Sequence, residues 1–180
     1  MLFRSGEFMP FDLSSLGISV EAHLMTKDPR AAGDALASAG VSCIIGHIEA
    51  FASPQEAIDT LASWRAQGAQ AGLAILMQTP LATLAPVAEA CDVIQMMCID
   101  TIGAQGAPFD QRSFARLGQL HAMFPKAALA VDGGVSHANI VDLAHMGARR
   151  FLVGSAIMKQ PDPARAYEAL VATLRTAVIT

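Results

Sequence analysis

The strict alternation of short apolar runs with amphipathic helical stretches constrains this chain more than any other feature. Strand-like runs fall at 20–25, 42–48, 71–76, 92–99, 127–131 and 150–153. Helical patterns follow at 29–39, 54–68, 80–90, 110–124, 136–146 and 163–177. Start signals support them: Pro29 opens the first helix, and Ser53-Pro54-Gln55-Glu56 combines an N-cap, a first-position proline and a capping-box glutamate. The repeat, about 25 to 30 residues, is the length of a strand–helix unit with short loops. Hydrophobic residues make up 53% of the chain, enough to cover strands on both faces as parallel sheets require. One α/β domain over 1–180 is expected.

Alternation alone does not separate a closed barrel from an open doubly wound sheet, since both are built from right-handed βαβ units. The polar strand ends favour the barrel. His23, His47, Asp100 and Asp132 each follow a different strand, whereas an open sheet gathers its chemistry at one switch point. The richest end is Val131-Asp132-Gly133-Gly134-Val135, followed one unit later by Val153-Gly154-Ser155-Ala156-Ile157. Glycines there let backbone N–H groups approach an anion, while a carboxylate on a rigid strand end can work as an acid or base.

Simpler roles exist for the same residues. A lone histidine such as His23 is often a hydrogen-bonded core residue, and Asp before Gly often caps a turn. The flanking Glu-Ala and Leu-Met of His23, and the paired glycines after Asp132, tip both toward a site. Surface or capping roles are expected for His121, His137 and His145, a cap for Asp100 and Glu49, and core packing for Met96 and Met146. His47 is expected near the pocket mouth with no assigned role.

The formal charge is −4 and no basic cluster exceeds Arg149-Arg150, which leaves no footprint for nucleic acid. The apolar runs are strand-sized, too short to span a bilayer. The first ten residues lack a charged stretch followed by an apolar one, so no secretory signal is read and a cytoplasmic protein is expected. Cys43, Cys91 and Cys98 are odd in number and have no CxxC spacing, as suits buried free thiols in a reducing compartment.

Taken together, Glu21-Ala22-His23-Leu24-Met25, Gly46-His47-Ile48-Glu49-Ala50, Thr79-Pro80-Leu81, Met97 through Phe109, and the two glycine motifs resemble, in order and spacing, the ribulose-phosphate 3-epimerase family. The resemblance runs from about Gly6 to Ile157. It implies a TIM-type (β/α)8 barrel of the ribulose-phosphate-binding type, lacking here the first βα unit and most of the second. It also implies metal-assisted interconversion of ribulose 5-phosphate and xylulose 5-phosphate, within the pentose phosphate pathway, by two aspartates on opposite faces of the substrate. By the same resemblance Asp132 is a catalytic acid/base and a metal ligand, and His23 is a second ligand. Gly133, Gly134, Gly154 and Ser155 hold the substrate phosphate, Met25 and Met97 line the pocket, and Gly103 and Gly106 belong to the substrate loop. The implied cofactor is a divalent cation of the zinc, iron, manganese or cobalt class. The expected partners are a sugar phosphate and, in a full-length form, further copies of the same chain.

The chain also departs from the family. Ser5 of Ser5-Gly6-Glu7-Phe8-Met9-Pro10 stands where the second catalytic aspartate belongs, and the histidine ligand of that strand has no counterpart. The loop 100–106 keeps two glycines but loses a Pro-Gly-Phe, and Leu76-Met77 replaces an Asn-Pro. Leu2-Phe3-Arg4-Ser5 matches the translated end of a common sequencing adapter, so a truncated reading frame is expected rather than a degenerate protein; the genomic sequence upstream of Gly6 decides between them. As written, the chain is expected to be poorly active. Two alternatives are a non-catalytic sugar-phosphate-binding barrel and a hexulose-phosphate synthase-like lyase, whose Asp-x-Lys-x-x-Asp signature is absent. A barrel short of two units is also expected to leave edge strands that promote self-association.

Overall fold

A computed structural model describes residues 17–103 and 107–178. Six strands, β1 (Glu21–Leu24), β2 (Cys43–His47), β3 (Gln70–Ile75), β4 (Val93–Met97), β5 (Leu129–Asp132) and β6 (Arg150–Leu152), form one sheet. Every pairing is parallel, and the spatial order follows the chain order from β1 to β6. A doubly wound sheet reverses its order at a switch point; this one never does, which is the wiring of a TIM-type barrel wall.

The wall is strongly curled. Laid flat, β1 and β6 would stand roughly 24 Å apart at ordinary inter-strand spacing. Instead Arg150 of β6 forms an ion pair with Glu21 of β1, and His23 of β1 meets Asp132 of β5. Neither β1 nor β6 has a second strand neighbour among the described residues, so both are edges, as the sequence led us to expect.

The period-two alternation of strand side chains divides the apolar residues into two layers. Outward-facing Ile44, Leu73, Ile75, Ile94, Met96, Leu129 and Val131 pack with Leu61, Trp64, Leu117 and Leu120 into the main core. Inward-facing Cys43, Ile45, Ala74, Val93 and Ala130 form a much smaller cluster inside the curl, joined by Leu152.

Helices α1 (Pro29–Ser38), α2 (Pro54–Ala66), α3 (Arg112–Met123), α4 (Ile140–His145), α5 (Ser155–Met158) and α6 (Pro163–Val178) supply the outer layer. The cap read from sequence is present, Ser53 accepting the Glu56 N–H at 3.2 Å, and α1 has one as well, Asp28 accepting the Ala31 N–H at 3.1 Å. Glu56 reaches back to the Ala52 N–H, one residue beyond the usual capping-box partner.

Two helices differ from expectation. The stretch 80–90 is not an α-helix but two short 3-10 turns, Leu81–Leu84 and Ala88–Ala90. Pro86 lies between them, and proline inside a helix removes a donor and clashes with the preceding turn. The helix expected from 136 begins at Ile140, because the Asn139 side chain folds back to accept the Ser136 N–H at 2.8 Å and to donate to the Gly134 carbonyl at 3.0 Å. The four-residue α5 was not foreseen. Met146, expected in the core, is exposed.

Candidate active site

In a parallel (β/α) wall the strand carboxyl ends share one rim, and the polar strand ends gather there. His23, near the end of β1, is at the centre. Its Nδ1 lies 3.2 Å from Asp132 Oδ2 at the end of β5, and its Nε2 lies 2.9 Å from His47 Nε2 at the end of β2. The two imidazoles stack with centroids 4.9 Å apart. His47 Nδ1 in turn lies 3.2 Å from Glu49 Oε2. Four titratable side chains from three strand ends thus form one continuous file: Glu49, His47, His23, Asp132.

Glu49 is the strongly perturbed member. Burial alone would push its carboxyl up, but hydrogen bonds from His47, Thr79 and the Leu76 backbone outweigh this and hold it at about 2. It is therefore a firm acceptor rather than the loop cap expected from sequence. Lys27, Met25, Leu76 and Ile102 surround Glu49 and His47 in a shallow cavity at the rim. Met25 is largely exposed there, as a mouth residue should be, whereas Met97 is buried in the barrel interior.

Beside Asp132, Gly133 and Gly134 adopt φ of 111° and 66°, a region that side chains other than glycine rarely enter. A Cβ on Gly134 would also stand 2.8 Å from the Phe109 backbone, so the turn admits nothing larger. Asn139 braces this turn through its bond to the Gly134 carbonyl. On neighbouring β6, whose Leu152 is in register with Asp132, the strand leads into exposed Gly154 and Ser155 at the start of α5. Gly103 lies in the loop after β4 with φ of 90°. Gly106 and Ser5 lie outside the described residues.

Sequence reasoning missed Gln95. It is fully buried in β4, its Nε2 is 3.0 Å from His23 Nδ1 and 3.4 Å from Asp132 Oδ2, and its Oε1 has no partner. An unpartnered buried carbonyl costs about 1 to 3 kcal/mol, which marks Gln95 as placed for its donors rather than for stability. The available signal was its polarity within the otherwise apolar run Val93–Met97. His121 and His137 remain apart from this cluster, and Asp100 is a surface partner of Arg112. The cysteines are free, and burial pushes Cys98 up to about 12 and Cys43 to about 11, so they are inert thiols.

A divalent cation with bonds of about 2.1 Å at tetrahedral angles holds two ligands about 3.4 Å apart, close to the His23–Asp132 spacing. Among the described residues, however, no group of three or more His, Cys, Asp or Glu side chains is arranged to hold a metal ion. Two donors fall short of a shell.

Fold and rim together define a (β/α)-barrel protein with a carboxylate–imidazole site beside a glycine turn. The sequence profile of the Ribulose-phosphate 3 epimerase family matches residues 12–158, and the chain belongs to that family. It is 35% identical over 157 residues to the ribulose-phosphate 3-epimerase of Escherichia coli K12, covering 83% of this chain and 68% of the relative. Identity to the Schizosaccharomyces pombe enzyme of that name is 28% over 159 residues, covering 88% and 66%. Among solved structures, 3-hexulose-6-phosphate synthase from Salmonella typhimurium superposes with a TM-score of 0.73 at 20% identity, over 91% of this chain and 76% of that one. KGPDC from Streptococcus mutans gives 0.73 at 12% identity, over 88% and 73%. At such identities these two show the shared barrel fold alone. No helix among the described residues is long and apolar enough to cross a membrane.

Proposed function

We propose that the chain is an isomerase of the epimerase type, acting on a ketopentose phosphate such as ribulose 5-phosphate. The carrying observation is Asp132 at the rim, hydrogen-bonded within the His23–Gln95 cluster and followed at once by the Gly133–Gly134 turn. In this reading the phosphate sits on the backbone N–H groups of Gly133, Gly134, Gly154 and Ser155. The Asp132 carboxylate takes the proton from the carbon next to the carbonyl, and the bonding pair moves to give an enediolate. Inversion requires a proton delivered to the opposite face, and the residue matching the family's second aspartate is Ser5. The divalent cation implied by the resemblance would find only His23 and Asp132 as donors among the described residues, so no step is routed through it. Three free cysteines accord with a cytoplasmic location.

Coupled assay of ribulose 5-phosphate and xylulose 5-phosphate interconversion tests this, with sugar-phosphate binding followed by calorimetry. The expected result is binding, with turnover lower than that of the longer relatives by on the order of 10² to 10⁴, the usual cost of losing an acid/base group. Ser5 also supports a second reading, a sugar-phosphate-binding barrel without turnover. Binding with no turnover in a chain confirmed to be full length would favour it. Absence of sugar-phosphate binding would overturn both.

A further inference from the structure

The strand register explains how Gln95 reaches the site. Its neighbours in register on the inner face are Ala74 of β3 and Ala130 of β5, both buried and too short to fill the interior or to bond a polar side chain. The Gln95 side chain extends across the curl toward β1 instead, and its Nε2 comes to 3.0 Å from His23 Nδ1 and 3.4 Å from Asp132 Oδ2. Those two atoms are themselves 3.2 Å apart, so the three form a nearly equilateral triangle. Ligands on one face of a cation's shell, at bonds of about 2.1 Å, are spaced by about 3.0 to 3.4 Å. The triangle has the dimensions of such a face, but its third corner is an amide.

Which amide atom fills that corner is settled without His23, whose two ring nitrogens lie at 3.0 and 3.5 Å. The same atom faces Asp132 Oδ2 and, at 3.8 Å, Met97 Sδ. An ionised carboxylate and a thioether only accept, so a carbonyl oxygen there would set acceptor against acceptor. The NH2 group therefore points in, and Oε1 is left without a partner. An amide NH2 has no lone pair to give a cation and turns its positive end toward it. We propose that Gln95 is a positioning residue whose amide stands in for the divalent cation, holding Asp132 at the corner a third ligand would take, so that the site works without a bound metal ion. The proposal rests on the reading of Asp132 as the working carboxylate. Its donor engages Oδ2 and leaves Oδ1 for the substrate proton.

The deciding substitution is Gln95→Glu, which keeps the length and shape of the side chain and turns the third corner into a ligand oxygen. The full chain, stripped with a chelator, is titrated with manganese(II), and the free ion is counted by its paramagnetic resonance. Wild type is expected to bind no stoichiometric ion and to melt at the same temperature with or without manganese. In Gln95→Glu the affinity for manganese is expected to rise about 10- to 100-fold or more, and any turnover to become dependent on the ion. Gln95→Leu removes the donor and supplies no ligand; kcat is expected to fall about 10- to 100-fold with KM little changed and no rescue by manganese. A merely structural glutamine would not convert the site from indifference to dependence. Stoichiometric manganese in wild type, wild-type turnover lost to the chelator and restored by the ion, or a folded Gln95→Glu with no gain in affinity overturns the proposal. Should Gln95→Glu fail to fold, the wild-type titration and Gln95→Leu still decide it. The expected manganese behaviour in a chain that binds no sugar phosphate would support the role of the amide and count against the epimerase reading.

Discussion

The two faces of the same six strands do different work. Outward side chains such as Ile44, Leu73 and Ile94 bind the wall to its helices, packing with Leu61 and Trp64 of α2, and all five are wholly buried. Inward ones make only a minor apolar cluster around Ile45 and Val93, and above it the polar His23, His47, Gln95 and Asp132. A barrel interior is narrow, so groups placed there lose water and are held by neighbouring strands. The outer face therefore carries stability and the inner face carries chemistry, and substitutions should separate the two.

The largest effect expected on the inner face is that of Asp132→Asn, which keeps shape but removes the base. Any turnover in the coupled assay should fall by on the order of 10² to 10⁴, with sugar-phosphate binding retained. A comparable loss of thermal stability would blur the division. On the outer face, Trp64→Ala should cost about 3 to 5 kcal/mol in denaturant titration, a typical result for emptying an aromatic site in a core. An equal cost for Ile45→Ala inside the curl would break the comparison from the other side.

Acid should reach the inner face through Glu49. Its carboxyl, ordinarily at 4.5, is held at about 2 in the fold. A depressed carboxyl supplies stability that is complete above 4.5 and is lost as pH falls from there toward 2. Melts of wild type and Glu49→Gln across that window should therefore converge as the solution is acidified. A gap that stays constant would mean that Glu49 is not anchored as described.

The smallest effect expected is at the seam. Glu21 and Arg150 join β1 to β6, but both are partly exposed, so Arg150→Met should change stability by about 1 kcal/mol or less. Its clearer signature is self-association, measured by sedimentation, because the two edge strands flank that pair. A monomeric, cooperatively melting Arg150→Met variant would show that the edges are not a liability.

Much of the wall was legible in the chain. Each strand run and its following turn is a local pattern, and Asp132-Gly133-Gly134 announces a strand end because glycine is needed where φ turns positive. The misreadings were local conflicts: Pro86 outvoted the helical spacing of 80–90, and Asn139 bent back onto the glycine turn. The site was legible only where one strand end sufficed. His47 and Glu49 looked like a mouth histidine and a loop cap, and Gln95 like an oddity in an apolar run, because His23 and the Leu76 N–H that meet them belong to or follow other strands.

The sequence by itself determined the alternation, the helix caps, the glycine turn after Asp132 and the family to which the chain belongs. Periodicity, capping and turn chemistry act over a few residues, so they can be read without the fold. Tertiary structure alone decided which inward side chains meet. Curling the wall brings β1 against β5 and sets His23 between His47 and Asp132, a contact that no spacing along the chain encodes.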